Sequence, residues 1–299
     1  MSNITSRWGK NMAVEYTIKN KNKLIKCVDF KNLLDQYSYI KKGIDTDIFN
    51  TVSEVSKEDD FFGKNSMSKT VEGMSFGFQD ETNYFLDKIE DVKNKDGLSD
   101  GVFMDNTGFA YDMGAYVSGE PECCINMGLP QPAPYVCIMV DLFFSAMYSA
   151  KQILNRGIAV TNLVNTLLLN GCVVDLFVFE YNLQSDFDVM YTTKIDTKTL
   201  PISSIAFVCT PEYFRKIGFI TCDVIRDKQS DLGRGSSTMT QFMLNKIKKD
   251  KIFYIGGSNG FWSSCGYDDL DKMNDTLIEN FNKYCVENKI VLKLNNEHK

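Results

Sequence analysis

The side chains in this chain that could do chemistry fall into three groups. Asp141 and Ser145 stand four residues apart just after the apolar run Tyr135–Val140, and Thr210 follows the apolar run Ile202–Cys209. Carboxylate and hydroxyl oxygens gathered at the ends of neighbouring strands suit a hard divalent cation such as magnesium. Asp112, Glu120 and Glu122 form the second group, in the turn-rich stretch from Tyr111 to Pro134. Acids so close in sequence could hold a cation or serve as a general acid, and a solvated loop leading into a strand is the plainer alternative. The third group is Gly233-Arg234-Gly235-Ser236, which precedes a helical pattern. Backbone N–H groups in such a loop could cradle a phosphate, although the lysine of a P-loop and the spacing of a dinucleotide fingerprint are both missing.

Composition removes several other chemistries. The 299 residues contain one histidine, His298. Ser-His-Asp hydrolysis, Cys-His proteolysis and His-ligated metal chemistry therefore have no base or ligand to work with. Nine cysteines are scattered without a CxxC pair, and Cys137, Cys172 and Cys209 sit in apolar runs, so they read as reduced core residues. A net charge of −6 gives no general attraction for a phosphate backbone. The lysine-rich stretches Lys19–Lys26 and Lys246–Lys251 read as solvated surface, so nucleic acid is not an expected partner. Met1–Asn20 has no signal-peptide core, and the longest apolar runs are broken by Asp141, Asn162 and Asn165. The expected location is a cytoplasm, with no membrane partner.

The elements that must position these residues centre on 134–181. Tyr135–Val140 reads as a short buried strand. Tyr148–Asn170 has helical period, with Ile153, Gly157, Val160, Val164 and Leu167 in one stripe, and Gly171 stands where a helix turns left-handed. Cys172–Phe179 is a second buried strand, which makes a parallel, right-handed strand–helix–strand unit. Val189–Ile195 alternates and predicts an antiparallel partner for the second strand. Ile202–Cys209 reads as another buried strand, and Thr210-Pro211-Glu212 starts a helix with threonine as cap. Lys251–Ile255 reads as a strand, and Asp268-Asp269 opens a last helix with Leu270, Met273, Leu277, Phe281 and Tyr284 on its buried face.

Upstream, Tyr16–Ile18 and Leu24–Phe30 suggest short strands or a hairpin around Lys19–Lys23. Residues 66–93 look helix-forming with breaks at Gly73 and Gly77, and Leu98–Ala110 reads as loop. The expected fold is α/β: an open, mainly parallel sheet flanked by helices. Residues 1–65 are set apart as an α+β arm or small lobe, and 66–299 form the α/β domain with its core at 130–294.

A strand ending in an acidic-serine turn, then a long helix and a strand hairpin, resembles the von Willebrand factor A domain, a Rossmann-like architecture. That family holds a divalent metal with Asp-x-Ser-x-Ser, a threonine and an aspartate. Asp141 and Ser145 match its positions, Phe143 replaces the middle serine, and Thr210 is the candidate threonine. The resemblance implies a degenerate metal site. The stretch Tyr111-Asp112 … Gly119-Glu120-Pro121-Glu122-Cys123 also resembles a group of uncharacterised phage and bacterial proteins. By these resemblances the chain is expected to be a phage-type, non-enzymatic protein whose strand-end face binds another protein, an ATPase or a phage component, in a host cytoplasm. Two alternatives stand beside it. One is a magnesium-dependent enzyme acting on a nucleotide or phosphate ester through Asp141 and the Asp112, Glu120, Glu122 cluster. The other is a virion structural protein.

Overall fold

The computed structural model describes residues 13–20, 23–43, 63–77, 83, 85, 103–105, 110–111, 124–126, 133–142, 144, 148–183, 187–195, 197, 202–226, 251–257 and 268–290. In chain order, β1 (Ala13–Asn20) and β2 (Lys23–Phe30) form a hairpin, followed by α1 (Leu33–Gly43) and α2 (Met67–Phe76). Three short strands come next, β3 (Phe103–Asp105), β4 (Ala110–Tyr111) and β5 (Cys124–Asn126). Then come β6 (Tyr135–Asp141), α3 (Ala150–Leu169), β7 (Val173–Asn182), β8 (Asp188–Ile195) and α4 (Ile202–Val208). A π-helix (Tyr213–Gly218) runs directly into α5 (Phe219–Arg226), and β9 (Phe253–Ile255) and α6 (Leu270–Asn288) complete the described chain.

Six strands form one sheet in the order β1-β2-β8-β7-β6-β9, and β3-β5-β4 form a separate small sheet. The β6/β7, β6/β9 and β2/β8 pairs are parallel, while β1/β2 and β7/β8 are antiparallel. The protein is thus α/β, with a six-stranded, mostly parallel sheet flanked by helices. Among the described residues no helix is long and apolar enough to cross a membrane.

The strand–helix–strand unit forms as its pattern predicts. On β6, Val136, Ile138 and Val140 are fully buried, and on β7 so are Leu176 and Val178, with Val174 at 1% exposure. These alternate positions face the main core beneath the helices. Helix α3 starts in a reciprocal capping box, with Ser149 and Gln152 each bonding the other's backbone N–H. It stops at Gly171, whose φ of +72° suits a residue without a Cβ. There Gly171 N–H donates to Leu168 O and Cys172 N–H to Leu167 O, which satisfies two carbonyls of the last turn. Gly157 brings α3 against the end of α4, where an added Cβ would stand 2.6 Å from Cys209 O.

Three expectations change. Ile202–Cys209 is not a strand; it is helix α4, with Ser203–Val208 all buried. A short run buried at nearly every position shows no polar face, so period could not separate a buried strand from a helix buried on every side. Leu98–Ala110 is not all loop, because β3 and the first residue of β4 lie in it. The N-terminal hairpin does not stand apart as an arm: β2 pairs with β8 in parallel, from Ile25↔Asp188 to Phe30↔Thr193. Gln36 of α1 ties it further into the core. Its amide donates to Thr221 Oγ1 at 2.9 Å, and its carbonyl oxygen accepts from Thr193 at 3.0 Å and Tyr213 at 2.7 Å. The helical pattern that follows Gly233-Arg234-Gly235-Ser236 lies outside the described residues.

Candidate functional site

The carboxyl ends of β6, β7 and β9 meet on one side of the sheet, where open α/β sheets place ligands. Asp141 is the last residue of β6 and is fully buried. By strand alternation it shares a face with Met139, away from the helices, and it is paired across the sheet with Phe179. Tyr254, on β9, projects to the same face and donates its hydroxyl to Asp141 Oδ2 at 2.7 Å. Burial, and then the charge of Asp141, raise the Tyr254 phenol far above its ordinary range, so that hydroxyl keeps its proton and remains a donor.

Glu180, two residues from the end of β7, points the other way, in line with Val174, Leu176 and Val178. It is completely buried under the π-helix and α5. Its Oε2 accepts from Tyr191 Oη at 3.1 Å. Burial is the main reason its carboxyl is pushed up to about 8; Asp141 and Asp223 push the same way, while the Tyr191 hydrogen bond and Arg226 oppose them. Gly218 makes the close approach possible, since a Cβ there would lie 2.4 Å from Glu180 Oε2. One turn on, Cys222 is buried beside the same group, and its thiol is raised first by burial and then by the Glu180 charge. Arg226 pairs with Asp223 through Nη1 at 3.4 Å, with both side chains less than 8% exposed.

The loop after β6 is held by two buried arginines. Arg156 of α3 stacks its guanidinium 4.4 Å from the Phe144 ring centre and donates to Gly256 O at 3.3 Å. Arg215 of the π-helix donates to Tyr148 O at 2.7 Å. A third polar junction lies beside α2. Glu212 Oε1 accepts from the backbone N–H groups of Lys64 and Asn65 at 2.8 and 3.2 Å, and Lys216 Nζ donates to Asn65 O. Burial lowers the Lys216 ammonium pKa, and the neighbouring Glu212 opposes that shift.

Of the residues expected to bind a metal, Asp141 and Thr210 are described and Ser145 is not. Thr210 is buried as the cap of the π-helical segment: its hydroxyl donates to Phe207 O at 2.7 Å and accepts from Tyr213 N–H at 3.2 Å. Asp112, Glu120, Glu122, Gly233, Arg234, Gly235 and Ser236 lie outside the described residues. Among the described residues no group of three His, Cys, Asp or Glu side chains is arranged to hold a metal ion.

Glu180 stands directly after the apolar run Cys172–Phe179, but no pattern in the sequence announces its neighbours Tyr191, Asp223 and Arg226. One signal was present: an acid continuing the buried alternation Val174, Leu176, Val178 must face the core, where it needs a partner. Tyr191 lies on β8, and Asp223 and Arg226 lie on α5, where nothing local announces the contact.

These elements define an α/β domain with buried, internally bonded charges at its strand ends. The chain belongs to the family described as a domain of unknown function, DUF7192, whose match covers residues 15–282. No curated protein and no solved structure matches it.

Proposed function

We propose that this is a non-enzymatic protein-binding domain with a degenerate von Willebrand A-like core. The bond between Tyr254 and Asp141 carries this reading. Asp141 occupies the position that opens the metal motif in that architecture, yet it is fully buried and gives Oδ2 to a phenol. Two further features support it. Phe143 replaces a ligating serine, and Thr210 uses its hydroxyl to start a helix. The order β6, α3, β7, β8, with β8 antiparallel to β7, agrees with the strand–helix–hairpin order on which the resemblance rests.

A domain of this kind works by presenting its strand-end face to another protein. A ring-shaped ATPase or another phage component is the partner suggested by fold analogy. The test is affinity capture with the folded full-length chain from native or phage-infected cells. The expected result is one stoichiometric partner that survives EDTA. Recovery of no partner, or a partner lost with EDTA, would count against a metal-independent docking domain.

A further inference from the structure

Two buried side chains of the strand-end cluster have polar atoms without a partner. Glu180 Oε1 makes no hydrogen bond, and neither do Nε and Nη2 of Arg226. Glu180 is fully buried and Arg226 is 8% exposed. The two feel each other electrostatically, and Cys222 feels both. A buried charged group left unsatisfied costs several kcal/mol, so such a group is expected to have a counterpart.

The chemistry of the vacant positions says what that counterpart is. Arg226 uses Nη1 on Asp223, which leaves its Nε/Nη2 edge, where two N–H bonds lie side by side and fit both oxygens of a carboxylate or phosphate. Glu180 receives the Tyr191 hydroxyl on Oε2, so a proton kept by this buried carboxyl belongs on Oε1, the oxygen without a partner, and makes it a donor. Three donors are then open and no acceptor is. A cation does not fit this set, and a single water could accept only two of the three. We propose that Glu180 and Arg226 form a buried subsite for a small oxyanion, either a phosphate or a carboxylate group, gripped by the Arg226 edge and capped by the Glu180 hydroxyl. Asp141 takes no part, because it faces the other side of the sheet.

The test is thermal unfolding of the full chain, refolded in the presence of each probe because both groups are buried. The probes are inorganic phosphate, acetate, and sodium chloride at matched ionic strength, all at pH 6.5. Phosphate or acetate at about a hundred times its dissociation constant should raise the midpoint by about 5 °C. The anion with the larger effect distinguishes a phosphate ligand from a carboxylate one. Glu180→Gln keeps a donor and should keep the rise; Arg226→Gln should lose it. If Arg226→Gln does not fold, Arg226→Lys, which keeps the charge without the paired N–H edge, should show at most half the rise. No rise with either anion, an equal rise with chloride, or an equal rise in the Arg226 variant (an adventitious ion only) would overturn the proposal.

Discussion

Tyr254 Oη and Asp141 Oδ2 are 2.7 Å apart, and this bond joins the ends of two parallel strands, β9 and β6. It replaces water around a carboxylate that is fully buried. Tyr254→Phe deletes the donor and leaves the acceptor in place. The expected loss is about 1–3 kcal/mol of unfolding free energy, read as a lower denaturant midpoint with an unchanged slope. A wild-type midpoint would mean that Asp141 does not depend on the phenol.

The same bond bears on metals. With Asp141 so engaged, magnesium, manganese and calcium should leave the melting temperature where EDTA leaves it. A site filled at a hundred times its dissociation constant would add about 2.7 kcal/mol, which melting would readily detect. A cation-dependent rise abolished by Asp141→Ala would restore the metal site and remove the basis for a degenerate one.

Glu180 makes stability depend on pH. Its carboxyl is raised from the ordinary 4.5 to about 8, chiefly by burial, so between those values the folded chain holds a proton that the unfolded chain has released. Stability from this group is full below about 4.5, falls as pH rises and levels off above about 8. Glu180→Gln should flatten that slope and be more stable than wild type at pH 9. Parallel stability–pH curves for the two proteins would show that Glu180 ionises normally.

Gly218 is needed for space: its φ carries no strain, but an added Cβ would meet Glu180 Oε2 at 2.4 Å and Tyr191 Oη at 3.0 Å. Gly218→Ala should therefore destabilise by about 1–3 kcal/mol despite the higher helix propensity of alanine. Combining it with Glu180→Ala should recover much of the loss, and strictly additive effects would contradict this contact.

How much could be read in advance follows from where each signal resides. The β6–α3–β7 unit was legible because period and left-handed glycine agree within one stretch, from Tyr135 to Phe179. The β7/β8 hairpin was legible for the same reason, through alternation. Helix α4 was not, since Ile202–Cys209 is short and Ser203–Cys209, the two serines included, are all buried, which erases the period. The place of β2 was not legible either, because its neighbour is set by pairing across more than 150 residues. At the site, Asp141 and Thr210 were found by their positions after apolar runs. Their engagement with Tyr254 and the start of the π-helix depends on contacts that no local pattern encodes. The Glu180–Arg226 relation likewise joins β7 to α5, two elements distant in sequence.

The parallel pairing of β2 with β8 also affects how the protein is made. Asp29 accepts a hydrogen bond from Thr192, 163 residues further along. At ribosomal rates of about 5–20 residues per second, the hairpin waits roughly 10–30 seconds for the strand that completes it. During that interval the inner edge of β2 is an open template. A nascent chain is then most exposed to mispairing with its neighbours on the same message, so slow translation or a shortage of chaperone should reduce soluble yield more than any change in the mature protein's stability would suggest.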